Sequence, residues 1–154
     1  MNQERPPAGR TPTRKTDVTP ITVLGAGNLG SAIARGIVRA GFRRPEEIML
    51  TRRHTKELAG LAELGYRVGS DNPKFASASR IVILAVQPRD ALEVLPEVAP
   101  VLDRSRHVLV STVTGFSIEA LRTYVGGELP VVRAMPNLGI QTLNSMTCLA
   151  LDEA

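Results

Sequence analysis

The chain has no tryptophan, three phenylalanines, two tyrosines and one cysteine in 154 residues. So few aromatic rings leave little on which to stack bases, and no basic cluster is interleaved with them, so nucleic acid is not expected as a partner. The lone Cys148 has no internal disulfide partner, and beside Met146 and Leu149 it reads as a buried small hydrophobe. No apolar run approaches the roughly 18 residues of a membrane helix, and the first residues lack the apolar segment of a secretory signal. A cytoplasmic protein without a membrane partner is expected. Metal-ligand spacing is missing too: His54 reads as a residue of a helix start and His107 as an exposed residue before a strand, so no metal site is expected. There is no solenoid repeat.

Basic residues are in modest excess, with a net charge of +4. Half of that excess lies in residues 1–17, where Arg5, Arg10, Arg14 and Lys15 face Glu4 and Asp17. The same stretch holds Pro6, Pro7, Gly9 and Pro12 and almost nothing apolar, the composition of a disordered tail. Residues 18–154 make one domain by size, and 43% hydrophobic residues suffice for a sizeable core.

From residue 18 onward, apolar runs alternate with helical patterns. Strands are expected at Ile21 to Leu24, Ile48 to Thr51, Tyr66 to Val68, Ile81 to Val86, Val108 to Val113, Val131 to Ala134 and Met146 to Leu151. Helices are expected over 28–40 with Gly41 as its stop, around Leu58 to Leu64 ending at Gly65, after Asp71-Asn72-Pro73, over Ala91 to Val98 with Pro96 interrupting its end, and from about Ser117 to Tyr124. The continuous run IVILAV reads as the strand buried on both faces. Repeated βα units of this length predict an α/β fold: a Rossmann-like, doubly wound, mainly parallel sheet with helices on both faces. Ligands of such sheets lie beyond the carboxyl ends of the strands.

Between the first strand and helix stands Leu24-Gly25-Ala26-Gly27-Asn28-Leu29-Gly30, with the G-x-G-x-x-G spacing in its required context. Gly25 permits the tight turn, Gly27 lets the backbone approach a pyrophosphate, and Gly30 lets helix and strand pack closely. The amides near Asn28 and Leu29 point at the phosphates, where the helix dipole also favours negative charge. An NAD site usually has an acid about 20 residues further on, at the end of the second strand, to bond the ribose 2′-hydroxyl. Here that place reads Thr51-Arg52-Arg53-His54, without a carboxylate. Guanidinium groups suit a 2′-phosphate, so NADP(H) is expected over NAD(H); the alternative is two solvated arginines in a chain with sixteen arginines and three lysines.

The segments GAGNLGSAIARGI, TRRHTKEL, SDNPKF, ASRIVILAVQP, STVTGFSIEAL and VVRAMPN resemble, in order, the N-terminal domain of pyrroline-5-carboxylate reductases. The resemblance covers about residues 20–150. It implies reduction of a cyclic imine to proline with a hydride from NAD(P)H. It further implies that Leu24 to Leu29 hold the pyrophosphate, Thr51, Arg52 and Arg53 the 2′-phosphate, and Asn72 the adenosine side. Ala85, Val86, Gln87 and Pro88 with Thr112, Val113 and Thr114 would line the nicotinamide half, and Asn137 would lie near the nicotinamide. Asn137 reads equally well as a turn residue after Pro136. The chain departs from the family pattern at Gln87, where a lysine is usual, and at Leu138-Gly139, where Thr-Pro is usual; the segment Gln141 to Ser145 is also altered.

Family members continue into a helical domain that builds the dimer and most of the imine pocket, and the sequence is expected to lack it. Asp90, Glu93 and Glu119 read as solvated helix residues, so no catalytic residue is assigned. Three functions stay open: a reductase of this type, represented by its cofactor domain and inactive in isolation; a stand-alone NADP(H)-binding regulatory module; and a reductase with another acceptor, as in F420-dependent NADP reductases or imine and 3-hydroxyacid reductases. An uncovered apolar face near Gln141 to Leu151 implies a homo-oligomer or a separate helical partner.

Overall fold

The computed structural model describes residues 19–137, 139 and 145–151. The expected tail over 1–17, Leu138 and the segment from Gln141 to Asn144 lie outside the described residues.

Seven strands form one sheet in the order β3-β2-β1-β4-β5-β6-β7. They are β1 (Ile21–Leu24), β2 (Ile48–Thr51), β3 (Arg67–Gly69), β4 (Ile81–Leu84), β5 (Val108–Ser111), β6 (Val131–Pro136) and β7 (Thr147–Leu151). Every neighbouring pair is parallel except β6 with β7. The chain runs outward from β1 through β2 to β3, crosses to β4 on the other side of β1, and then runs outward again. The boundary between β1 and β4 is therefore the point where strand order reverses and a crevice opens.

The strands alternate their side chains between two cores. Val82 and Leu84 of β4 join one cluster with Ala76 of α3 (Asn72–Ser77), Ala91, Leu95 and Val98 of α4 (Pro88–Val98), and Ile118, Leu121 and Val125 of α5 (Ile118–Val125). Ile83 joins the other, with Ala34 of α1 (Asn28–Arg39) and Leu61 of α2 (Ala59–Glu63). This is the doubly wound arrangement, and β4 has apolar cover on both faces. Thr22, the polar residue inside β1, donates to Phe75 O at 2.8 Å and pairs with Ser79 Oγ at 2.6 Å, so its hydroxyl ties β1 to α3.

Helix ends follow local chemistry. After α1, Phe42 N–H donates to Ile37 O and Gly41 N–H to Val38 O; after α2, Tyr66 and Gly65 repeat the pattern on Leu61 and Ala62. Both are Schellman closures. Asp71 caps α3 by accepting from Lys74 N–H, and Ser117 caps α5 by accepting from Ala120 N–H.

Several boundaries and environments differ from expectation. β4 ends at Leu84 and β5 at Ser111, each two residues early, although Ala85 and Thr112 N–H still donate to Leu24 O and Leu84 O across the neighbouring strand. Pro96 does not interrupt α4, which runs through it to Val98; the carbonyl it leaves without a donor belongs to Leu92, on the exposed side. His107 is buried, not exposed: it is 2% accessible, and its Nδ1 accepts from Asp103 N–H at 2.8 Å. Cys148 is exposed, not buried, because β7 is an edge strand and all five of its residues are open. Met135, Met146, Leu149 and Leu151 are exposed around it. Among the described residues no helix is long and apolar enough to cross a membrane.

The closest packing lies between α1 and the turn before it. A Cβ on Gly30 would stand 2.3 Å from Gly25 O and 3.1 Å from Val23 Cγ1, whereas one on Gly27 would meet nothing within 4 Å. Gly30→Ala is expected to lower unfolding stability by about 3 kcal/mol, since the obstructing atom is backbone. Gly27→Ala is expected to stay within about 1 kcal/mol, the cost of a poorer helix cap. Urea unfolding followed by circular dichroism checks both.

Candidate functional site

The turn from Gly25 to Gly30 is fixed by backbone bonds from two strands. Gly25 and Ala26 N–H both donate to Thr51 O, at 3.1 and 2.8 Å, and Ala85 N–H donates to Leu24 O at 2.8 Å. Gly25 has φ +90°, and a Cβ there would lie 2.5 Å from Val86 Cγ1. A side chain is thus excluded by both conformation and space. Gly27 then opens α1 without any side-chain cap, and no acidic residue stands in the first helical turn. The first amide with a partner inside this cap is Ser31 N–H, on Gly27 O at 2.9 Å. Asn28, Leu29 and Gly30 N–H have no helical acceptor, as at any helix start. They form a donor set suited to an anion.

A cleft of about 840 Å³ lies over this turn. Of the residues singled out from sequence, Gly25, Gly27, Asn28, Leu29, Thr51, Arg52, Arg53, Asn72, Ala85, Val86 and Gln87 line it. Leu24 and Ala26 are fully buried beneath the turn, and Gly30 is buried against it. Pro88 opens α4 but does not line the cleft. Nor do Thr112, Val113, Thr114 and Asn137. Thr112 Oγ1 donates to Leu84 O at 3.0 Å, and Val113 is buried. Asn137 is exposed and accepts from Gly139 N–H through Oδ1 at 3.0 Å, which is turn geometry.

Sequence reading missed the contribution of α4. His54, Ser70, Arg89, Asp90, Glu93, Val94 and Glu97 also line the cleft. Asp90, Glu93 or Val94, and Glu97 recur at helical spacing, so one face of the helix after the central strand lies along the crevice. That spacing was the available signal. These acids are engaged rather than merely solvated. Arg53 Nη2 lies 3.3 Å from Glu93 Oε2 and 3.8 Å from Asp90 Oδ1, and Asn72 Nδ2 donates to Glu97 Oε2 at 2.8 Å. Arg52 Nη2 pairs with Glu57 Oε2, while its Nη1 is 3.4 Å from Ala26 O. The corner after β2 therefore has carboxylates after all, delivered by the next turn and by α4 instead of by the strand end.

A second cleft of about 790 Å³ lies between α1 and the segment that carries Glu57, Gly60 and Leu61, and it shares Gly27, Asn28 and Arg52 with the first. Arg35, Arg39, Glu57 and Tyr66 are among its other lining residues. Burial pushes the Tyr66 phenol above its ordinary pKa, against the opposing charge of Arg35. Among the described residues no group of three or more His, Cys, Asp and Glu side chains gathers to hold a metal ion.

The first cleft fits a nicotinamide dinucleotide on two structural grounds. Gly27 leaves open space over unpaired helix amides, and Thr51 Oγ1 at the cleft wall is buried without any hydrogen-bond partner. A bound ribose or phosphate would supply the missing partner.

Comparison with known proteins agrees with this geometry. Residues 20–115 match the model of the family described as NADP oxidoreductase, coenzyme F420-dependent. Pyrroline-5-carboxylate reductase 1 of Dictyostelium discoideum is 39% identical over 131 residues, which cover 85% of this chain and 24% of that protein. Pyrroline-5-carboxylate reductase 2 of the same organism is 38% identical, over 84% of this chain and 44% of that protein. Among solved structures, a pyrroline-5-carboxylate reductase from Coxiella burnetii superposes with a TM-score of 0.83 at 27% identity, over 89% of this chain and 51% of that one. The Plasmodium falciparum pyrroline carboxylate reductase with NADP bound gives 0.76 at 26% identity, over 88% and 48%. The chain thus spans about half the length of those structures, and less than half of the two curated relatives.

Thr51→Val tests the orphaned hydroxyl. With no ligand the variant is expected to be more stable by about 1 kcal/mol, since it removes a buried unpaired polar group. Thermal melts with and without NADPH should show the variant gaining less from the ligand than the wild type does.

Proposed function

This chain belongs to the NADP oxidoreductase, coenzyme F420-dependent family, and we propose that its cleft holds NADP(H) for reduction of a cyclic imine of the pyrroline-5-carboxylate kind, a step of proline synthesis in the cytoplasm. The uncapped start of α1 beneath Gly27 carries the reading. When bound, the dinucleotide supplies the hydride.

The residues of this chain bind and orient. Asn28 and Leu29 amides hold the pyrophosphate, and Thr51 Oγ1 with Arg52 and Arg53 receives the adenosine 2′-phosphate. Asn72 flanks the adenosine, while Ala85, Val86 and Gln87 line the nicotinamide half. Pro88, Thr112, Val113, Thr114 and Asn137 do not line the cleft itself, and they are assigned to its nicotinamide side on the family resemblance alone. Two carboxylates of the cleft, Asp90 and Glu93, are engaged with Arg53, and neither is assigned as a proton donor. The imine's own pocket is not assigned to the described residues. A second reading, hydride exchange between NADP and a deazaflavin, rests on the description of the matched family model.

Titration with NADPH, followed by ligand fluorescence, is expected to saturate with a Kd on the order of 1–100 µM. Gly27→Val fills the open space with little strain, because Gly27 has φ −78° and ψ −155°, and it should weaken binding at least about tenfold without unfolding the chain. No binding by the wild type, or an unaffected variant, overturns the reading. NADPH oxidation with pyrroline-5-carboxylate, set against reduction of a deazaflavin, separates the two acceptors.

A further inference from the structure

We propose that Glu57 sets which dinucleotide the cleft prefers: it holds Arg52 in the free protein, yields it to a 2′-phosphate, and accepts from a free 2′-hydroxyl when no phosphate is present. This rests on the dinucleotide reading above.

The observation behind it is the position of one ion pair. Arg52 directly follows β2, and its N–H donates to Gly69 O at 3.0 Å, so its backbone is locked to β3. Its side chain stands where the two clefts meet, beside Gly27 and Asn28. There it is shared between Ala26 O and the Glu57 carboxylate. Glu57 is presented from an anchored backbone. It lies in the short 3-10 turn Thr55–Leu58, its N–H donates to His54 O at 3.2 Å, and the adjoining Leu58 is buried. The two side chains are 35% and 49% exposed, so the pair is in contact with solvent and exchanges its partner at small cost.

The surroundings decide what replaces the carboxylate. Glu57 lines the second cleft and not the first, as the sole carboxylate there, and Arg35, Arg39 and Arg52 line the same cleft. Neither Arg35 nor Arg39 has an ion pair among the described residues. A phosphate monoester carries close to two negative charges and three acceptor oxygens, and it outcompetes a single carboxylate for a guanidinium fork. Arg53 is the more exposed of the two, at 71%, and its contacts to Glu93 and Asp90 are long, at 3.3 and 3.8 Å. Arg52 is the arginine held beside Gly27 and Asn28 by a close partner, so discrimination is assigned to it and to Glu57. With a free 2′-hydroxyl there is no anion to displace Glu57, and its carboxylate serves as the acceptor that the end of β2 does not provide.

The test measures NADPH and NADH affinities for wild type, Glu57→Gln, Glu57→Ala and, as a control at the other arginine, Glu93→Gln. Both Glu57 variants are expected to bind NADPH about two- to fivefold more tightly and NADH more weakly by a similar factor. Glu93→Gln should change the ratio of the two affinities less than about twofold. An unchanged ratio in both Glu57 variants, or an equal shift for both dinucleotides, overturns the proposal while dinucleotide binding stands. Failure of the wild type to bind either nucleotide overturns both.

Discussion

Everything at the candidate site depends on one carbonyl. Thr51 O, at the end of β2, accepts the N–H of both Gly25 and Ala26, and so fixes the turn that follows β1 against the neighbouring strand. Gly25 is pressed from the other side by Val86 and Ala85, and α1 closes onto it through Gly30, where even a methyl group finds no room. The turn is held from three directions by backbone, and its remaining free direction is upward, over Gly27. An unpaired row of amides in a rigid frame is the consequence, and it costs no reorganisation when an anion arrives. The chain's own side chains leave the start of α1 uncapped, as they do those of α2 and α4, while α3 and α5 are capped by Asp71 and Ser117; what marks α1 out is the open space over Gly27.

Charge around this frame is balanced by partners from distant parts of the chain. The end of β2 has no acid of its own, but Glu57 reaches back to Arg52 and α4 brings Asp90 and Glu93 to Arg53. Two arginines in a row therefore do not amount to two free cations. Exposed pairs of this kind contribute little to stability, so they are better understood as a resting arrangement of the groups that meet a ligand.

The sheet was legible because its strands are short, continuous apolar runs such as ITVL, IMLT and IVIL. The glycines were legible because each has a local job: Gly41 and Gly65 close helices, and Gly25 and Gly30 permit close approach. What escaped was set by tertiary neighbours. His107 precedes a strand as expected, yet the loop from Asp103 folds over it. Cys148 has apolar neighbours in sequence, yet it lies on an edge strand with open faces. The acids of α4 were visible as a helical stripe, but only the packed helix shows that the stripe faces the arginines.

Amide NMR during a titration with NADPH shows whether the amides beneath Gly27 receive the pyrophosphate of a nicotinamide dinucleotide. The largest shifts are expected at Gly27, Asn28 and Leu29, accompanied by Thr51 and Arg52, with β7 unmoved. Saturable binding that leaves those amides in place while shifting others rules that site out.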